Sequence, residues 1–212
     1  YNNYSYLIDL HKKLKIKSMF FFQFASYSTY DKNVSPNNNR FRFLIKSIAD
    51  YSLVSLSASY SSFSNTELLK LEKKKLASVV NREVNHSRMR YNRVDIPVTY
   101  RNLIDAEFSD DYTMGYTHEI GFRAGTCSPF YFYDINLEIQ QPIRIHPFAV
   151  HDYALINFKK EQEVLNEIDL LYQDVKRVNG NFITIFSNEL IGSAQKVSWK
   201  KLYESVLKSY HV

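Results

Sequence analysis

At 212 residues and 45% apolar side chains, the chain is long and hydrophobic enough to bury one sizeable core, which excludes disorder and makes a single domain over 1–212 the expectation. A net charge of +5 is scattered without a long basic stripe, so no nucleic-acid partner is expected. The lone Cys127 excludes an internal disulfide framework and a multi-thiolate zinc site and points to a reducing, cytoplasmic setting. No apolar run is long enough to span a bilayer, and Tyr1-Asn2-Asn3-Tyr4 has none of the features of a signal peptide.

Tyr6, Leu7, Leu10 and Leu14 repeat at helical spacing, and Lys17 to Phe24 then reads as a buried strand. Because Tyr rather than Met opens the chain and this periodicity starts at once, further sequence of the same fold is expected upstream. The polar stretch Tyr27 to Asn39, with Pro36, predicts a long surface loop, of the kind that lines sites. Phe41 to Ala49 is a helix, Leu53 to Leu56 a short strand, and Ser57 to Ser64 a hydroxyl-rich loop. Asn65 or Thr66 caps a helix from Glu67 to Val80, whose Lys73-Lys74-Lys75 run reads as a solvated face.

A strand begins at Val84, Pro97 opens another helix, and Asp111 to Met114 reads as the next strand. Gly121 to Cys127 permits tight turns, and Phe130 to Tyr133 is an aromatic strand. Lys159 to Val178 is a strong amphipathic helix ending near Gly180, Phe182 to Phe186 a final strand, and Trp199 to Val206 a closing helix. Strands alternating with helices predict a parallel α/β arrangement, an incomplete barrel or an open sheet.

In such folds the reactive groups sit on loops after the carboxyl ends of strands, here Ser57–Ser62, Arg88–Tyr91, Asp110–Cys127 and Ser187–Glu189. Three segments in or near them carry a resemblance: Asp110-Asp111-Tyr112-Thr113-Met114-Gly115-Tyr116, Gly121 to Asp134, and His146-Pro147-Phe148-Ala149-Val150. Together with Tyr30-Asp31-Lys32-Asn33, Thr99 to Leu103, Val178-Asn179-Gly180 and the Trp199 helix, they resemble the polysaccharide deacetylase-like proteins of bacterial envelope polysaccharide clusters. The resemblance covers essentially the whole chain.

It implies a distorted or incomplete (β/α) barrel of the NodB-homology type, in which a divalent metal such as zinc and an aspartate base activate water to remove acetyl groups from a glycan. In that chemistry the metal polarises the acetyl carbonyl and a late histidine protonates the departing amine. The family has a histidine at the start of the loop matching Ser57-Ala58-Ser59-Tyr60, and another two residues after the arginine matching Arg88. Ser57 and Arg90 stand there. Where the family's late strand ends in Trp-His-Asn-Glu, this chain reads Phe186-Ser187-Asn188-Glu189. A serine is a poor zinc ligand and an arginine repels a cation, so neither a metal cofactor nor the usual mechanism is expected unless the site is rearranged or completed upstream. The family's aspartate-bearing first strand would precede Tyr1.

Several residues remain candidates. Asp111, Arg123 and Glu189 are the catalytic ones, Arg123 because a guanidinium on a glycine-flanked loop can clamp a carboxylate by two parallel bonds. Asp110 and Asp111 could together orient a basic group or bind a cation. A rearranged metal site would draw on Asp111, His118 or His146, although His146 and His151 without a third ligand read as structural, and adjacent His118 and Glu119 point apart on an extended segment. Cys127, with no base beside it, reads as an inert buried thiol. The 16% aromatic content suits a packed core and equally a sugar-stacking groove, for which Tyr60, Tyr91, Tyr112 and Tyr116 are the lining candidates. The expected partner is a polysaccharide or oligosaccharide, either acted on by a degenerate or rearranged hydrolase or held by a non-catalytic module.

Overall fold

The computed structural model describes residues 3–156, 158, 160–192 and 199–209. In chain order the elements are helix α1 (Tyr4–Lys13), strand β1 (Met19–Gln23), α2 (Asn39–Ala49), β2 (Leu53–Ala58), α3 (Thr66–Val80), β3 (His86–Met89), α4 (Val98–Asp105) and β4 (Asp110–Asp111). There follow β5 (Phe130–Asp134), β6 (Ile139–Ile145), β7 (Val150–His151), α5 (Asp152–Leu155), α6 (Glu161–Arg177), β8 (Thr184–Ile185), α7 (Asn188–Ile191) and α8 (Trp199–Ser209). Lys159, the expected start of α6, lies outside the described residues.

Two compact units carry these elements. The first comprises Met19–Met114 and Pro129–His146 and holds a six-stranded sheet of order β1-β2-β3-β4-β6-β5. Its pairings are parallel except the last, where β5 and β6 form an antiparallel hairpin. The alternation of helix and strand predicts the parallel part; β6 is not legible in advance, because its glutamines and Pro142 do not read as a strand, and the pairing with β5 shifts register in that stretch. β4 is also shorter than its sequence suggests. Beyond Asp111 the Met89 amide bonds to the Thr113 hydroxyl, at 2.9 Å, instead of to a backbone carbonyl, so a side chain ends the ladder.

Side-chain alternation gives this sheet two unlike faces. On one face Leu56, Ser87, Asp111 and Ile145 are in register. That face lies under the helices: Phe22 meets Phe41 of α2, and Phe132 meets Tyr100 of α4 at 4.8 Å between ring centroids. Leu56, Leu69, Leu76, Leu103 and Ile143 are fully enclosed there. Arg101 of α4 then grips Asp134 of β5 through two parallel bonds, of 2.6 and 2.9 Å, and ties the hairpin to the helix layer. The opposite face is polar, with Gln23, Ser57 and Arg88 in one register row and His86, Asp110 and Arg144 in another.

The second unit comprises Tyr1–Ser18, Gly115–Ser128 and Pro147–Val212. Parallel β7 and β8 run through a core of Val150, Leu155, Val164, Ile168, Trp199 and Val206, to which the apolar stripes of α6 and α8 contribute. Two close backbone approaches define it. A β-carbon at Gly115 would fall 2.4 Å from the Phe148 ring, and one at Gly180 only 2.2 Å from the Cys127 sulfur. The half-buried Cys127 is thus packed against the turn that ends α6.

Local signals account for the helix ends in the sheet unit. Asn65 caps α3 by accepting from the Leu68 amide at 2.9 Å, and Asn38 caps α2 by accepting from Phe41 at 3.0 Å. The lysine run on α3 is not simply a solvated face: Lys73 Nζ bonds the carbonyls of Ala106 and Glu107 at the end of α4 and sits 4.8 Å over the Phe108 ring. Glu72 beside it is also buried.

Asp111 is enclosed on the helix-covered face, where it accepts from Ser87 Oγ, Thr113 Oγ1 and the Thr113 amide at 2.7 to 2.9 Å. Burial is the largest influence on its carboxyl and pushes it up to about 6, against the opposing pull of those bonds. Between about pH 4 and 6 the folded chain therefore holds a proton that the unfolded chain has released. The resulting stabilisation is complete below the unfolded value and is lost as pH rises through about 6. Urea unfolding should thus show the parent losing about 1 kcal/mol relative to Asp111→Asn between pH 5 and 7. Replacing the α3 cap, Asn65→Ala, should cost about 1 kcal/mol in the same measurement at neutral pH, with Asn65→Asp close to neutral.

Candidate functional site

The carboxyl ends of β1, β2 and β3 meet around Asp31, a residue of the polar loop after β1 that is only 1% exposed. Both of its oxygens accept from the Tyr60 amide, at 3.1 and 3.2 Å, and one also accepts from the Gln23 side chain. Ser28 completes the turn by donating its hydroxyl to the Asp31 carboxylate and accepting from the Asp31 amide. The hydroxyl-rich loop after β2 is fixed from the other side by Glu72, which accepts from the Ser59 amide at 3.1 Å. Burial raises the Glu72 carboxyl, opposed by the bonds from Ser59. A loop that looks unstructured by composition is held by two buried acids.

Arg90, just past the end of β3, reaches into this cluster. Its Nε donates to the Tyr30 carbonyl at 3.0 Å and lies 3.5 Å from the Asp31 carboxylate. Tyr91 beside it donates its hydroxyl to the same carbonyl at 2.9 Å. Tyr91 and Asn92 both adopt left-handed backbone, with φ of 59° and 51°, a conformation that side chains with a β-carbon resist. Asn92 is anchored by Arg88 Nη2 at 2.7 Å, so the strained turn has a support that keeps the Tyr91 ring displayed.

Around these bonds the aromatic rings form one patch. Tyr30 stacks on Tyr60 with centroids 4.0 Å apart, and Tyr91 meets Tyr60 edge-on at 6.0 Å. The Arg93 guanidinium sits 4.2 Å over the Tyr60 ring and 3.8 Å over Phe63, and Arg90 lies 4.8 Å over Tyr91. Of the four tyrosines expected to line a groove, Tyr60 and Tyr91 are thus brought together, joined by Tyr30, which the sequence did not single out as a lining residue.

Tyr112 belongs instead to the polar sheet face, stacked on His146 with centroids 4.4 Å apart. There Asp110 accepts from His146 Nε2 at 2.6 Å, Arg144 Nε at 3.0 Å and Ser109 Oγ at 2.7 Å. Burial alone would raise the Asp110 carboxyl, but the bonds from Ser109, His146 and Arg144 outweigh it and hold the group below its ordinary value. Burial lowers His146, against the pull of Asp110, so the neutral ring donates through Nε2 to an ionised carboxylate. The adjacent acids Asp110 and Asp111 do not converge. They point to opposite faces of the sheet, one into this network and one under the helices.

The remaining candidates lie in the second unit. Ser187 donates both its amide and its hydroxyl to Asp152, each at 2.6 Å, and His151 Nδ1 is 2.7 Å from the other Asp152 oxygen. Burial would raise Asp152, but His151 and Ser187 together hold it below the ordinary range. The order serine, carboxylate, histidine leaves the serine oxygen against an acceptor of its proton rather than against an imidazole base, which is not the arrangement of an activated nucleophile. Arg123 is exposed between Gly121 and Gly125, whose φ values of 131° and 68° require glycine. Glu189 is exposed in the first turn of α7, and Tyr116 is 40% exposed. His118 and Glu119 are also exposed, with His118 edge-on to Tyr153 at 6.4 Å.

The metal that the resemblance implies can be tested against these residues. Position 90 offers a permanently charged guanidinium, which has no lone pair to donate and repels a second cation. The Asp31 oxygens beside it are already engaged by Tyr60, Gln23 and Ser28. Asp111 faces the helices, His146 is bound to Asp110, and Ser187 is a hydroxyl turned to Asp152. Among the described residues no three His, Cys, Asp or Glu side chains are grouped to hold a metal ion. The donor set does not fit a divalent metal at this position.

No protein-family model matches the chain, and no curated protein matches it. Among solved structures it is similar to a protein of Mycobacterium smegmatis described as a "putative polysaccharide deacetylase", with a TM-score of 0.68 over 98% of this chain and 70% of that one. Sequence identity is 11%, so the likeness is one of fold. The chain has a mixed α/β fold with a mostly parallel sheet, of the kind that protein has, and among the described residues no helix is long and apolar enough to cross a membrane.

Proposed function

We propose that this chain is a polysaccharide deacetylase-like domain that binds a bacterial cell-envelope glycan, with metal-dependent deacetylation impaired or lost. In this reading the chain is one domain of the distorted or incomplete (β/α) barrel type, and the setting is cytoplasmic. The observation that carries the reading is Arg90. At a position where the family resemblance calls for a neutral nitrogen ligand, a guanidinium is tied to the Tyr30 carbonyl beside the buried Asp31. Its fixed charge supplies a cation to the cluster and opposes entry of a metal.

Glycan binding in the absence of turnover is supported by the rings retained at the strand ends. Tyr30 and Tyr91 are each about half exposed, and their flat faces suit the C–H faces of a pyranose. The hydroxyl at Ser187 cannot supply the proton that a leaving amine requires near neutral pH. Asp111, Arg123 and Glu189 then serve the framework or its surface rather than the chemistry of deacetylation.

The protein should take up well under one equivalent of zinc after dialysis against the metal, measured by elemental analysis, and release no acetate from an acetylated oligosaccharide. The same oligosaccharide should bind in a calorimetric titration and lose about tenfold or more in affinity with Tyr60→Ala or Tyr91→Ala. Stoichiometric zinc together with acetate release would falsify the loss of activity. Failure to bind any acetylated or acidic glycan would end the binding reading.

A further inference from the structure

The aromatic patch at the ends of β1, β2 and β3 is bordered by two guanidinium groups whose donors are only partly used. The Arg93 guanidinium lies over the rings of both Tyr60 and Phe63, at 4.2 and 3.8 Å, contacts that engage its π-system and not its N–H donors. One of its donors, on Nη1, reaches the Tyr60 carbonyl at 3.3 Å, and among the described residues no carboxylate pairs with it. Arg90 is oriented by Nε alone, through the Tyr30 carbonyl and Asp31, so its two terminal nitrogens have no hydrogen-bond partner among the described residues. Its side chain is 32% exposed.

Beside these cations Tyr30 and Tyr91 are 51% and 53% exposed. The ring contacts at 4.0 Å and 6.0 Å, with Arg90 over Tyr91 and Arg93 over Tyr60, join both rings and both arginines in one patch. The left-handed turn at Tyr91 and Asn92 fixes one side of it, and the Asp31 bonds fix the other. Among the described residues the carboxylate paired with these arginines is that of Asp31, which meets Arg90. It is buried and directed at Arg90 Nε and the Tyr60 amide, which leaves the outer edges of both guanidinium groups positive.

We propose that this patch binds an acidic sugar unit, a uronate whose carboxylate is held by the Arg90 and Arg93 forks while its ring lies against Tyr30 or Tyr91. The proposal rests on the glycan-binding reading above and narrows it to a substrate class. A planar fork recognises a carboxylate by paired donors, and an aromatic face accepts the apolar side of the ring, so charge and shape are read together.

The test compares tetragalacturonate with its fully methyl-esterified form, which is the same chain without the charges, and with an acetylated neutral tetrasaccharide, by calorimetric titration at low and at moderate salt. The acid should bind about tenfold or more tightly than its ester, with affinity falling as salt rises. Arg93→Gln should remove most of that preference, as should Arg90→Gln, while the unfolding midpoints confirm that the variants fold. Arg93→Lys, which keeps the charge and loses the fork, should recover only part of it. Equal binding of acid and ester, or acid binding that Arg93→Gln leaves unchanged in a folded protein, overturns the proposal. Binding of the neutral acetylated glycan alone overturns it too, and leaves the glycan-binding reading standing. Absence of binding to all three removes both.

Discussion

A single buried carboxylate, that of Asp31, joins three loops that the sheet alone would leave independent. It receives the Tyr60 amide from the loop after β2, the Gln23 side chain from the end of β1, and Arg90 from the turn after β3. Enclosing a carboxylate is costly unless its lone pairs are met, and here donors from the backbone, an amide, a hydroxyl and a guanidinium meet them together. The cost of losing any one donor therefore falls on all three loops. Placement of Tyr30, Tyr60 and Tyr91 as one patch is a consequence of that shared dependence, since each ring is attached to backbone that Asp31 or Arg90 holds.

The sheet beneath imposes the second constraint. Alternation sends neighbouring residues to opposite faces, and in this chain the two faces differ sharply, one closed by α2, α3 and α4 and one lined by Gln23, Ser57, Arg88, Asp110 and Arg144. Asp110 is held ionised by Arg144 and His146, whereas Asp111, one residue on, is pushed toward the neutral form. Two acids adjacent in sequence thus have opposite electrostatic fates for a purely geometric reason. Several residues that carry the family resemblance also act as framework: Arg101 with Asp134, Gly180 against Cys127, and the enclosed Trp199.

In the proposed reading, Arg90 standing where a histidine ligand is expected removes a ligand and also changes what the site attracts. A metal centre concentrates positive charge at a point that must stay open to substrate; a guanidinium anchored through Nε spreads it over a plane. On that proposal a catalytic locus becomes a recognition surface while the supporting loops stay in place. The Ser187 hydroxyl is likewise turned onto Asp152 and closes a hydrogen bond there.

Read as a sequence, the chain determined most of its helices and its mainly parallel order, because a period of 3.6 and short apolar runs are local signals that burial in any context would produce. Asn65 as a cap and the glycines at 121 and 125 were legible for the same reason, each being required by its own backbone. That Ser57, Arg90 and Ser187 stand where a histidine is expected rests on resemblance alone. The β6 hairpin strand, the end of β4 at a threonine hydroxyl, the burial of Glu72 and the role of Asp31 were decided only in three dimensions. Each depends on a partner far along the chain, as Asp31 depends on Tyr60 and Arg90, and a polar residue in a polar loop gives no local sign that distant donors will enclose it.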